Sequence, residues 1–317
     1  MIAIVPIAMA AGCASALMFA SIVSGALISL LLFYLAPLPL MVAALGWGPL
    51  CATIGGITAA AGLGAIFGLP YCIAFALAIA LPAWRLGHLA LLGRPVVAST
   101  PAANDAAAVE WYPVGRILLW IVVFASITTT ATLLTQGFDG PTITETMRAA
   151  LVAILQSADI APTDRKIDVL VTIAPAAAAI IAMMTLTLNL WLAAKITATS
   201  GRLHRPWPDL KSAALPPMTL VVLSVAVAFC FTGGLLAIVA QIVTAALMMA
   251  YALTGFGVLH TLTLALKSRA LWLGCTYAIM VVFGWPVLAM VVLGLADAIF
   301  GFRQRYLRGR PPPLPAS

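Results

Sequence analysis

The sequence predicts an all-α fold, a polytopic transmembrane helical bundle, and three observations predict it. Residues 1–84 contain no Asp, Glu, Lys, Arg or His. Over all 317 residues, 64% are hydrophobic and only 8% are charged, whereas soluble domains carry about 25% charged residues. The apolar runs are continuous rather than alternating in short segments, which argues against a β-barrel. A hydrocarbon core of ~30 Å needs ~20 apolar residues per helix, so the uncharged block has room for about four spans joined by very short turns. Met1 to Ala20 lacks a basic leader region and is followed by more apolar sequence, so this segment is expected to stay in the membrane.

Further apolar runs cover 114–136, 167–197, 215–232 and 235–266, which brings the expected total to about eight long spans. Charge sets their orientation. Of the 16 Lys and Arg residues, only Arg148, Arg165 and Lys166 fall in the stretch 137–166, which with Asp168 also holds five of the nine acids, Asp139, Glu145, Asp159, Asp164 and Asp168. That loop is expected outside, and the remaining 13 basic residues (16 less 3) inside, with both termini cytoplasmic. Lys267 and Arg269 must then share a side with Arg303, Arg305, Arg308 and Arg310, so 270–301 has to enter and return. Gly284, Trp285 and Pro286 interrupt it midway, and a short C-terminal helical hairpin is the expectation.

One integral domain, 1–310, accommodates all of this. Within it, 93–112 reads as a small-residue cytoplasmic linker, and the outer loop 137–166 carries an amphipathic helix. A capping box at Thr142 and Glu145 should start that helix, and Ile143, Met147, Leu151, Ile154 and Leu155 share its apolar face. It either shields the loop at the interface or acts as a lid. The proline-rich segment 311–317 reads as an extended, disordered tail.

Enzymatic chemistry is not indicated. Cys13, Cys51, Cys72, Cys230 and Cys275 sit in apolar runs without CxxC spacing, and His88, His204 and His260 are far apart. No metal and no cofactor is therefore expected, and P-loop, dinucleotide, HExxH and GxSxG patterns are missing. The expected surroundings are the lipid bilayer, with no nucleic-acid partner.

Two kinds of residue stand out. Ala8, Gly12, Ala16 and Ala20 recur every four positions in the first span, and Gly56, Ala60, Gly64 and Gly68 do so in the third. Such ladders let backbones approach closely. They serve either internal packing or docking to a partner membrane protein, and the first span, expected at the bundle edge, is the better docking candidate. Asn189, His260 and Asp297 are polar groups inside spans, six or seven residues before Lys195, Lys267 and Arg303. That spacing puts them at a common depth of ~10 Å. They form either three separately satisfied groups or one polar layer around an unknown small molecule, with His260 as the expected partner of Asp297.

Gly294, Leu295, Ala296 and Asp297, followed by Phe302, Arg303 and a basic tail, resemble the closing signature of the YybS-like family of bacterial integral membrane proteins. Asn189 before Lys195, Arg205-Pro206-Trp207-Pro208 and Leu215-Pro216 are similar to its middle in order. The resemblance implies a bacterial inner-membrane protein. In hydropathy that family is similar to the substrate-binding subunits of energy-coupling-factor transporters. Two functions are therefore expected as alternatives, a transporter-type small-molecule binding subunit and a non-transporting scaffold or assembly factor.

Overall fold

The structure, a computed structural model, describes residues 4–95, 109–157, 163–208 and 213–308. Among the described residues, seven helical stretches are long and apolar enough to cross a membrane: Ile4–Ser24, Leu27–Trp47, Pro49–Phe67, Leu69–Ala90, Val114–Leu134, Asp164–Thr199 and Gly234–Leu262. The chain is a multi-spanning helical membrane protein. The tail 311–317 and the linker interior 96–108 lie outside the described residues.

The first four spans use proline and glycine as punctuation. α1 (Ile4–Ala20) ends in a 3-10 turn. α2 (Leu27–Leu35) and α3 (Pro37–Trp47) form one stretch broken at Ala36. Pro37 and Pro39 have no N–H to give the carbonyls of Phe33 and Leu35, so the helix cannot run through. α4 (Pro49–Phe67) follows Gly48, and α5 (Leu69–Phe75) follows Gly68; both glycines have positive φ, +96° and +94°. A π-helical segment, Ala76–Ala80, joins α5 to α6 (Leu81–Ala90) just before Pro82, and a wide turn of this kind absorbs the missing donor.

Strands β1 (Gly93–Pro95) and β2 (Val109–Trp111) pair antiparallel, Arg94 opposite Glu110. The expected linker is thus tied at its two ends as a ribbon. Then come α7 (Val114–Leu134), α8 (Gly140–Ser157), the 36-residue α9 (Asp164–Thr199), α10 (Met218–Phe229) and α11 (Gly234–Leu262). α12 (Arg269–Phe283), α13 (Val287–Phe300) and α14 (Phe302–Arg308) close the described chain.

Two expectations need correction. The run 215–232 yields only 12 helical residues in α10, about 18 Å, because Pro216, Pro217 and the turn after Phe229 consume its ends; it is a short helix and not the eighth long span. In the outer segment, α8 starts at Gly140, two residues before the expected box. Asp139 caps it, its carboxylate accepting from Thr142 N–H at 2.9 Å and Thr142 Oγ1 at 2.8 Å. Those two bonds hold the Asp139 carboxyl below its ordinary value.

Contacts fix which ends meet. Ile4 O lies beside Cys51 Sγ, Trp47 lies under Arg202, and Arg205 donates to Ala90 O and Tyr112 O at 3.1 and 3.0 Å. We call this the Trp47 end. At the other, Gly140 at the start of α8 stands against Gly234 at the start of α11. Arg148 of α8 is ion-paired with Asp164 and Asp168 of α9, so α8 is fastened to its neighbour. The interior is filled by side chains such as Leu40, Met41, Phe75, Leu86, Met183, Ile242, Leu247 and Tyr251. The outer faces are just as apolar, with Leu17, Leu27, Ile66 and Val281 largely exposed, a surface suited to lipid rather than water.

Candidate functional site

The polar groups inside the spans are the candidates, and each is built into a separate lock. Asn189, fully buried in α9, donates through Nδ2 to Tyr34 O at 2.8 Å and to Thr185 O at 2.7 Å. Tyr34 belongs to the last turn of α2, beside the proline break. Ser15 of α1 donates to Ala36 O at the same break. Two side chains from two other helices thus satisfy carbonyls at the α2–α3 interruption, where hydrocarbon offers no donor. Asn189 Oδ1 meets no donor among the described residues.

Asp297, near the end of α13, has its carboxylate 7% exposed and is paired with Arg303, also 7% exposed. Oδ1 accepts from the Arg303 backbone N–H at 2.8 Å and Oδ2 from Nε at 2.6 Å, while Arg303 Nη1 reaches Ala213 O at 2.8 Å. Gly301 makes this geometry available. Its φ of +65° turns the chain so that the first turn of α14 faces back onto α13. The lock therefore joins α13, α14 and the segment before α10.

His260, near the end of α11, bonds Tyr277 Oη through Nε2 at 2.6 Å and faces Arg269 through Nδ1 at 3.4 Å. Tyr277 also stacks on Phe256, centroids 5.7 Å apart. The expected Asp297–His260 pair is not formed: the acid turns to Arg303 and the imidazole to Tyr277. The three groups share no hydrogen-bond partner, each being engaged on different elements. Spacing to the next basic residue gave a similar depth but no information on the helix face. A further polar contact, Thr219 Oγ1 to Tyr251 Oη at 2.7 Å, ties α10 to α11 and had no signal in the sequence beyond the residue types.

The small-residue ladders are internal. A Cβ on Gly12 would run into the carbonyl of Gly55, and one on Gly55 into the carbonyl of Ala8. Ala8 and Gly12 thus seat α1 on α4, and Ala16 and Ala20 pack against the same core. The Ala8 and Gly12 rungs of the first-span ladder are occupied by α4. A Cβ on Gly56 would stand 3.0 Å from Ala80 Cβ and one on Gly64 3.0 Å from Cys72 Cβ, so this part of the second ladder receives α5 and its π-helical continuation, with Ala60 buried in the core. Gly68 is not a rung; it is the positive-φ turn before α5.

Another close approach, outside both ladders, joins α11 and α13. Gly255 of α11 would drive a Cβ into Met290 O, and Gly294 of α13 would drive one into Tyr251 O. α13 therefore lies antiparallel on the last turns of α11, backbone against backbone. The two short helices, α12 and α13, meet at the expected Gly284 turn, but they are not alike. α13 buries Met290, Val291, Gly294 and Asp297, while α12 buries only Met280.

Among the described residues no three His, Cys, Asp or Glu side chains stand together as a metal site. At the end opposite Trp47, an open groove between α8 and α11 is lined by Pro141, Thr144, Glu145, Ala237, Ile238 and Gln241, away from all three locks. No family model, no curated protein and no solved structure matches the chain.

Proposed function

We propose that this protein is a non-transporting membrane scaffold or assembly factor, working through helix–helix docking in a bacterial inner membrane with both termini cytoplasmic. One observation carries the reading. Asn189, His260 and Asp297, three polar groups of the apolar helices, are each engaged by internal partners that hold helices together. A transporter-type binding subunit needs polar groups converging on a cavity. The resemblance to the YybS-like family through Gly294 to Asp297 is compatible with this role, since those residues seat α13. No enzymatic step is assigned.

The test is extraction from native membranes in polymer-bounded lipid discs, followed by mass spectrometry of everything retained. A scaffold keeps a protein partner at reproducible stoichiometry and no small molecule. A stoichiometric small molecule that is lost on Asn189→Ala or His260→Ala overturns the reading in favour of a binding subunit.

A further inference from the structure

At the Trp47 end, basic side chains lie over indole rings. Arg85 stands 4.6 Å from the ring centroid of Trp120, Lys195 4.3 Å from Trp207, and Arg202 4.6 Å from Trp47. Arg205 lies farther out, 6.0 Å from Trp111. The pairs link α6 to α7, and α9 and α3 to the segment after α9. They lie at the same end of the bundle, because Arg205 reaches the last turn of α6 and Tyr112, two residues before α7, while Arg202 also packs beside Gly46.

Their charges differ in what answers them. Arg205 donates to two carbonyls. Arg85, Lys195 and Arg202 have no side-chain hydrogen bond or ion pair among the described residues. Among the described residues the acids at this end are engaged elsewhere: Glu110 is paired with Arg94, and Asp297 with Arg303. At the opposite end Arg148 is neutralised by Asp164 and Asp168.

We propose that Arg85, Lys195 and Arg202, each held over an indole, form a binding surface for the phosphate groups of anionic phospholipids. Indole rings favour the boundary between hydrocarbon and headgroups, and a ring beneath a guanidinium or ammonium fixes its position without neutralising it. Arg85 lies five residues before Ala90, ~8 Å into its helix, a depth that a headgroup reaches more readily than a water-borne acidic segment. Exposed apolar side chains beside the cations, Leu81, Trp191 and Ile196, are placed to meet acyl chains. Arg offers a planar fork that matches two phosphate oxygens. The proposal does not depend on the scaffold reading.

The experiment uses the full chain in detergent with equal amounts of phosphatidylglycerol and phosphatidylcholine, and reads retained lipid by native mass spectrometry. Wild type should keep phosphatidylglycerol preferentially. Lys195→Gln with Arg202→Gln should cut that preference roughly tenfold, and Arg85→Gln should reduce it further. Arg148→Gln, at the opposite end, should leave it unchanged. If the double variant does not fold, Arg202→Gln alone removes an exposed side chain and should still cost roughly threefold. Equal retention of the two lipids, wild-type retention by the folded variants, or displacement by millimolar inorganic phosphate or soluble polyglutamate each overturns the proposal.

Discussion

Arg303 is the residue whose loss should hurt most. Removing it leaves the Asp297 carboxylate buried without a cation and the Ala213 carbonyl without its donor. Breaking a buried pair from one side costs about 3–5 kcal/mol, whereas replacing both members with apolar residues costs much less. We expect Arg303→Met to lower the unfolding midpoint in detergent strongly and the double variant Asp297→Leu/Arg303→Met to recover most of it. Asp297→Asn and His260→Gln should add within about 0.5 kcal/mol, since the two residues share no partner. At Asp139 the effect depends on pH. Its folded-state carboxyl is held below the ordinary value of 3.8, so the cap on α8 is fully present above that value. The cap is lost as pH falls through the lowered one. Amide exchange at Thr142 and Ile143, referenced to the intrinsic rate at each pH, should therefore rise only on strong acidification, and Asp139→Ala should raise it at neutral pH.

Glycines decide the helix pairings, and they do so in specific pairs. Gly255→Leu or Gly294→Leu should detach α13 from α11, because the added side chain would occupy the position of a facing carbonyl. Gly12→Leu should separate α1 from α4 in the same way. Gly274→Leu is the control: a Cβ there meets nothing within 4 Å, so its unfolding midpoint should match wild type. These pairings also show where the sequence was readable. The absence of charge through Trp84 made four spans plain, and Gly284 with Pro286 marked the turn between α12 and α13. The ladders were legible as small-residue faces, but Gly55, next to Gly56 and outside the four-residue pattern, turned out to receive α1. α10 was overread because apolar content in 215–232 says nothing about where two prolines stop a helix. Arg303 was missed as the partner of Asp297 because a helix-only count looks three and four residues ahead. The αL turn at Gly301 brings in the sixth.

At the scale of the whole molecule, Ile4, Trp47, Ala90 and Arg303 gather at one end, while Gly140 and Gly234 meet at the other. Reporter fusions after Leu92, Gln136, Ser200 and Ser317 should read cytoplasmic, external, cytoplasmic and cytoplasmic. A reporter after Ser317 reading external would contradict both the basic-residue asymmetry and the position of Arg303. The Arg303 lock also imposes an order on biosynthesis. It closes on a carbonyl translated 90 residues earlier. At roughly 5–20 residues per second, Ala213 waits about 5–18 s for its donor, while α10 to α13 enter the bilayer. A ribosome that stalls at the end of that interval, after α13 and before Arg303, leaves a chain whose helices are made but whose closing bond is missing. Such an unfinished product presents an unanswered carbonyl and a loose α13, marks by which a membrane protease could tell it from the completed protein.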